Sequence, residues 1–144
     1  MYKHFLIATD GSELAGKALT SGITLAKLLN AKVTVITASE PWTTMASAEA
    51  AFAFPVEEYE KAGAEHAAHI LADAGKAAQA QGVACETVHV NDFPAEAIID
   101  TAKSRKCDLI VMASHGRRGI ARVLLGSQAT RVVTLSSVPV LICR

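Results

Sequence analysis

Short apolar segments alternate with longer helical patterns along the whole 144-residue chain. Runs of hydrophobic or β-branched residues predict five strands, and apolar spacing typical of helices predicts four helices between them. Strands that are apolar on both faces and joined by helices form parallel sheets with helices on both sides. The alternation therefore predicts a single α/β domain over residues 1–144, built on an open doubly wound sheet. The predicted strands are residues 5–8, 33–38, 83–90, 107–113 and 138–143; the predicted helices are 13–30, 56–81, 91 to near 105, and 127–136.

A doubly wound sheet binds ligands at the carboxyl ends of its strands, where the strand order reverses. With one reversal, we expect the crevice between the first and fourth strands. Asp10 follows the first strand, and the loop over residues 113–127 follows the fourth. These two segments are predicted to form one ligand site.

The segment after the fourth strand has the chemistry of a phosphate site. The apolar run Leu109–Ala113 leads into a loop rich in glycine and arginine, which ends at Gly126 and Ser127 where a helix is predicted to begin. The N–H groups at a helix N-terminus lack partners within the helix, and the helix dipole favours an anion there. Phosphate binding is therefore the chemistry that this segment favours.

Composition excludes several classes of partner. The 14 basic residues balance the 14 acidic ones, which gives no general attraction to nucleic acid or to anionic membranes. No apolar run approaches the ~20 residues that a membrane-spanning helix needs, and the N-terminal segment lacks the apolar core of a signal peptide. Cys85, Cys107 and Cys143 show no C-x-x-C spacing. They are predicted to be reduced, buried thiols at strand positions in a cytoplasmic protein.

The common nucleotide motifs are absent, since the chain has neither G-x-x-x-x-G-K-[ST] nor G-x-G-x-x-G after its first strand. Ser12 is predicted to cap the first helix. For Asp10, two roles stay open: capping the same helix, or hydrogen bonding to a ribose.

Other polar residues have a structural and a functional interpretation. Ser114 and His115 resemble a nucleophile and base, but adjacent side chains at a strand exit are expected to point apart, which favours a role in shaping the loop. Glu65, His66 and His69 are predicted to lie on a solvated helix face. Contact with phosphate and simple solvation both stay open for Arg117, Arg118 and Arg122. Segment 42–54 is predicted to be a packed loop rather than a lid over a base.

At these residues the chain resembles the universal stress proteins, along its whole length. The resemblance rests on the Ala-Thr-Asp-Gly-Ser sequence at residues 8–12, on the strand ending at residues 37–41 and on the final strand at 138–142. Its most specific part is Met112-Ala113-Ser114-His115-Gly116, followed after nine residues by Gly126-Ser127. The nucleotide-binding branch of the family carries Gly-x-x-Gly, nine residues and Gly-[Ser/Thr]. Ala113 stands where that motif has its first glycine.

The resemblance implies a strand order of 3-2-1-4-5, a homodimer through the fifth strand (residues 138–143), and bound ATP, usually with Mg²⁺ or Mn²⁺. It implies that Asp10 holds the ribose, that the backbone at Ala38 meets the adenine, and that the N–H groups of Gly116, Gly126 and Ser127 hold the phosphates. The full set of residues that it implies for the nucleotide is Ala8, Thr9, Asp10, Ala38, Met112, Ala113, His115, Gly116, Arg117, Gly126, Ser127, Gln128 and Ala129.

The function that follows is an ATP-binding regulatory or stress-survival module with at most weak ATP hydrolysis, because no general base is evident beside a γ-phosphate. Two alternatives stay open. In one, Ala113 closes the site and leaves a nucleotide-free interaction module; in the other, Asp10 and a metal serve a slow ATPase or nucleotidyl transferase.

Overall fold

A five-stranded parallel sheet forms the centre of the molecule, with strand order β3-β2-β1-β4-β5. The computed structural model describes residues 1–42, 55–116 and 125–144. The predicted doubly wound α/β fold and strand order are confirmed. The strands are β1 (His4–Ala8), β2 (Lys32–Ser39), β3 (Cys85–Asn91), β4 (Leu109–Ala113) and β5 (Val140–Cys143); the helices of the described residues are α1 (Glu13–Leu28), α2 (Val56–Ala80), α3 (Pro94–Ser104) and α4 (Ser127–Leu135).

The sheet has a separate hydrophobic cluster on each face, because side chains of a strand alternate between the two sides. In β1, Phe5 and Ile7 pack with α1 and α2, whereas Leu6 packs with α3 and α4. All three side chains are fully buried. This double burial explains why the central strand β4 is apolar at every position rather than at alternate ones.

Helix α1 lies unusually close to the sheet at Gly22. A Cβ atom there would lie 2.7 Å from Cδ1 of Ile7 and 3.3 Å from Cγ1 of Val111. A larger residue at position 22 would therefore collide with the sheet, and small residues on this face of α1 let the helix approach β1 and β4.

Local signals mark the boundaries of α1 and α2, whereas α3 begins at Pro94 and not at Asn91, which ends β3. Ser12 caps α1, its hydroxyl accepting a hydrogen bond from the N–H of Ala15 at 3.3 Å. Gly82 adopts a φ of +71° just after α2, a conformation that favours glycine. Strand β5 begins at Val140, later than predicted, although the carbonyl of Pro139 already accepts from the N–H of Ile110.

Two predictions about burial need correction. The helical spacing of apolar or small residues in the sequence predicts a buried stripe on α2 at positions 56, 59, 63, 67, 70, 71, 74 and 78. Val56 is nevertheless 40% exposed, because the buried residues of this helix begin at Ala67. All three cysteines are free, yet only Cys107 is buried; Cys85 and Cys143 lie on the two edge strands and are half-buried. Burial raises the pKa of each thiol, that of Cys107 to about 11. Among the described helices, none is long and apolar enough to cross a membrane.

Candidate functional site

A cleft of about 820 Å³ opens at the carboxyl ends of β1, β2 and β4, between the first half of α2 and the N-terminus of α4. This is the predicted position, where the strand order reverses. Every residue of the predicted nucleotide set that the structure describes lines this cleft: Ala8, Thr9, Asp10, Ala38, Met112, Ala113, His115, Gly116, Gly126, Ser127, Gln128 and Ala129. Arg117, the remaining member of that set, falls outside the described residues, as do Arg118, Arg122 and residues 43–54.

Asp10 follows β1 and lies close to the loop that follows β4. Its Oδ1 accepts a hydrogen bond from the N–H of Ser12 at 2.9 Å, an Asx turn that helps to start α1. A Cβ atom at Gly116 would lie only 2.6 Å from Oδ2 of Asp10. The carboxylate therefore has a local structural role at one oxygen and faces the loop after β4 with the other.

Gly126 is the N-cap of α4, and no side chain caps this helix. A Cβ atom at Gly126 would lie 3.1 Å from Cα of His115 and 3.3 Å from the carbonyl oxygen of Ser114. The N–H of Gly126 donates to that carbonyl at 2.7 Å. In this structure the Gly126 N–H is therefore engaged by the loop after β4, and its expected contact with phosphate stays a prediction. The first helical N–H groups, beginning at Ser127, are the ones that lack intrahelical partners.

Ala113 is the last residue of β4, paired with Cys143 and 7% exposed. It has no positive φ, so its backbone does not require glycine. The substitution that distinguishes this chain from the motif is therefore compatible with the local backbone.

Gln128 and Ala129 have structural contacts of their own. The side-chain oxygen of Gln128 accepts from the N–H of Ala95 at 3.0 Å, which links α4 to the start of α3. Ala129 is 2% exposed and belongs to the hydrophobic cluster on that face.

Ser114 and His115 do not point apart as expected. The Oγ of Ser114 and the Nδ1 of His115 lie 3.2 Å apart, within hydrogen-bond distance. Strand β4 ends at Ala113, and the chain bends at the next two residues. The alternation of a strand therefore no longer applies to this pair.

The first half of α2 forms a wall of the cleft that the sequence did not predict. Tyr59, Gly63, His66 and Ile70 line it, and the Tyr59 hydroxyl donates to the carbonyl of Glu40 at 3.3 Å. A Cβ atom at Gly63 would lie 3.6 Å from Oγ of Ser39. The apolar spacing at 59, 63 and 70 was the available signal, but it was assigned to the core. The solvated face predicted for Glu65, His66 and His69 is confirmed, all three being exposed, although His66 also reaches the cleft.

Two further observations limit what the described residues can do. They contain no group of three His, Cys, Asp or Glu side chains arranged to hold a metal ion. A second hollow of about 730 Å³ lies between the end of α2 and Cys85, but Lys76 and Cys85 are its only titratable residues. The cleft at the switch point is therefore the candidate site.

The comparisons with known proteins all point to the same protein family. A family model described as the universal stress protein family matches residues 1–144. The universal stress protein YxiE of Bacillus subtilis is 33% identical over 148 residues, covering all of both chains. The chain is similar to the structure of universal stress protein UspA from Lactobacillus plantarum, with a TM-score of 0.86, 26% identity and coverage of 99% and 98%. It is also similar to a universal stress protein crystallised in complex with cAMP, with a TM-score of 0.75, 28% identity and coverage of 99% and 97%.

Proposed function

Since the chain belongs to the universal stress protein family, we propose that it binds ATP in the cleft between β1 and β4. Binding would serve a regulatory or stress-survival role in the cytoplasm. The observation that carries the proposal is that Asp10, after β1, and Gly116 and Gly126, from the loop between β4 and α4, line one cleft. A related protein that binds cAMP supports an adenine nucleotide as the ligand class.

The cleft offers distinct surroundings to the parts of a nucleotide. Ala38, at the end of β2, would present its backbone to the adenine, and the Asp10 carboxylate would hold the ribose hydroxyls. The start of α4 at Ser127 would meet the phosphates, where N–H groups and the helix dipole favour negative charge. Glycine at 116 and 126 keeps both loops close to this path.

We propose that Mg²⁺ or Mn²⁺ accompanies the ATP. Asp10 and the Ser127 hydroxyl are the donors proposed for the cation; Glu40 and Glu60 also line the cleft, and the described residues contain no group of three side chains that forms a complete protein site. This donor set fits Mg²⁺, which proteins commonly bind through one or two carboxylates together with substrate phosphates. The cation would neutralise phosphate charge, while Asp10 and Ser127 would orient the nucleotide. Hydrolysis, if present, is proposed to be weak.

Calorimetric titration with ATP and Mg²⁺ tests the proposal in the wild type and in Gly126→Ala. The added methyl group would press against His115 and Ser114, so we expect affinity to fall about tenfold, or about 1.4 kcal/mol. Gly16→Ala is the matched control, because a Cβ atom at that helical glycine meets nothing within 4 Å. Absence of heat in the wild type would favour the nucleotide-free interaction module, and rapid release of phosphate would favour the enzyme.

We also propose a homodimer through β5, over the segment that was predicted as residues 138–143. One side of β5 has no partner strand in the described sheet, which leaves a row of backbone groups to pair. Leu141 in this strand is 38% exposed. A second copy, pairing antiparallel about a two-fold axis, would cover both features in a closed contact.

A further inference from the structure

Ser114 and His115 form a hydrogen-bonded pair at the entrance to the phosphate end of the cleft. Their Oγ and Nδ1 atoms lie 3.2 Å apart. Ser114 is only 3% exposed, whereas His115 lines the cleft. The serine therefore lies behind the imidazole, on the side away from any ligand.

Both backbone polar groups of Ser114 form hydrogen bonds. Its N–H donates to the carbonyl of Cys143 at 2.8 Å, and its carbonyl accepts from the N–H of Gly126 at 2.7 Å. These two hydrogen bonds fix the backbone position of Ser114, and its hydroxyl forms a hydrogen bond with Nδ1 of His115.

A neutral imidazole carries its proton on one nitrogen, and the hydrogen bond made by the other nitrogen decides which. When the Ser114 hydroxyl donates to Nδ1, the proton of His115 resides on Nε2. That N–H is then a donor on the cleft side of the ring. A phosphate oxygen, which only accepts hydrogen bonds, matches this tautomer and not the other.

We infer that Ser114 is a positioning residue that holds His115 as the Nε2–H tautomer, and that His115 donates this N–H to a phosphate oxygen of the ligand. We assign this contact to phosphate because His115 lies beside the N-terminus of α4. A Cβ atom at Gly126, the N-cap of α4, would lie 3.1 Å from Cα of His115. The inference deepens the proposed function and rests on it for the identity of the ligand. The tautomer itself can be measured without a ligand.

Nitrogen NMR of the ligand-free protein tests the tautomer. In the wild type, the His115 signals should show a protonated Nε2 and an unprotonated Nδ1 under weakly alkaline conditions. Ser114→Ala should give a mixture of the two tautomers, because the donor to Nδ1 is gone. A proton on Nδ1 in the wild type, or an unchanged spectrum in the variant, would overturn the role of Ser114.

Calorimetry with ATP and with adenosine tests the contact to phosphate. Replacing His115 by Gln retains an N–H donor near the position of Nε2, whereas Asn retains one near Nδ1. We expect His115→Asn to lose about tenfold in ATP affinity, His115→Gln to retain most of it, and adenosine affinity to change in neither. Equal losses in both variants, or an equal loss for adenosine, would overturn the phosphate contact.

The two experiments separate this inference from the proposed function. A wild type that binds no ATP but has the Nε2–H tautomer contradicts nucleotide binding and leaves the Ser114 pairing intact. A wild type that binds ATP as tightly as both His115 variants contradicts the inference and leaves nucleotide binding intact.

Discussion

The Nε2 of His4 lies 2.8 Å from the Oγ1 of Thr34, where β1 and β2 run side by side at the amino end of the sheet. Both residues are buried. Nearby, the carboxylate of Asp108 accepts hydrogen bonds from the N–H groups of Lys3 and His4 at 2.7 and 3.0 Å. Burial, followed by the charge of Lys32, lowers the pKa of His4 below 6.5, although Glu86 and Asp108 oppose the shift.

Stability should therefore fall as the solution is acidified. A histidine whose pKa is lowered by folding binds its proton more readily in the unfolded chain, so protonation favours unfolding. The loss should begin as the pH falls through 6.5 and continue to the lower pKa of the folded state. Urea midpoints between about pH 8 and about pH 5 measure this slope. His4→Gln should flatten it, whereas His69→Gln, on the exposed face of α2, should not.

Gly116→Ala should weaken ATP binding more than it destabilises the fold. The new methyl group would lie 2.6 Å from Oδ2 of Asp10 and must displace the carboxylate proposed to hold the ribose. We expect a loss of affinity of about tenfold or more by calorimetry, or about 1.4 kcal/mol. Gly75→Ala is the control, because its Cβ meets no atom within 4 Å. Unchanged affinity in Gly116→Ala would place the nucleotide away from Asp10.

Ala113→Gly should leave ATP affinity nearly unchanged and reduce stability by about 0.5–1 kcal/mol, because glycine gains more entropy on unfolding. Ala113 is an extended residue of β4 whose backbone does not need glycine. Calorimetry and chemical denaturation give the two quantities. A clear gain in ATP affinity would mean that the Ala113 methyl group obstructs the ligand.

Leu141→Lys should give a folded monomer. Leu141 is exposed, whereas Val140 and Ile142 pack against the hydrophobic cluster beside α3 and α4. Lysines at 140 and 142 would therefore disturb the core as well as the edge. Analytical ultracentrifugation and thermal unfolding report the two effects separately. Leu28→Lys, at an exposed leucine on α1, is the control and should remain dimeric. A monomeric wild type at micromolar concentration would refute the dimer.

Gly22→Ala should destabilise the fold by about 1–3 kcal/mol, the range expected for overpacking a dense core. Its methyl group would overlap Ile7 and approach Val111, so either Ile7 must change its rotamer or α1 must move away from the sheet. Urea denaturation measures the change against Gly16→Ala in the same helix. A stability equal to that of the control would show that Ile7 can change its rotamer without cost.

The sequence placed Asp10 and Gly116 in one site because both follow parallel strands that flank the reversal of strand order. That inference needs only topology, and both residues do line one cleft; that they hold a nucleotide stays a prediction. It did not predict the contact between Ser114 and His115, which depends on a bend after β4. Nor did it separate Tyr59 from Leu71: both belong to the apolar spacing of α2, but Tyr59 lines the cleft and Leu71 packs in the hydrophobic core.

The backbone of Ser114 has two attachments, to the end of β5 through Cys143 and to the start of α4 through Gly126. A displacement of α4 toward an anion would pull on Ser114, the same residue whose N–H pairs with the edge strand. Ligand binding in the cleft and pairing of the β5 edge would then be thermodynamically linked. If binding in the cleft alters edge pairing, edge pairing alters the affinity of the cleft for the ligand by the same factor. Titrations at low and high protein concentration would then yield different dissociation constants, and their ratio would measure the linkage.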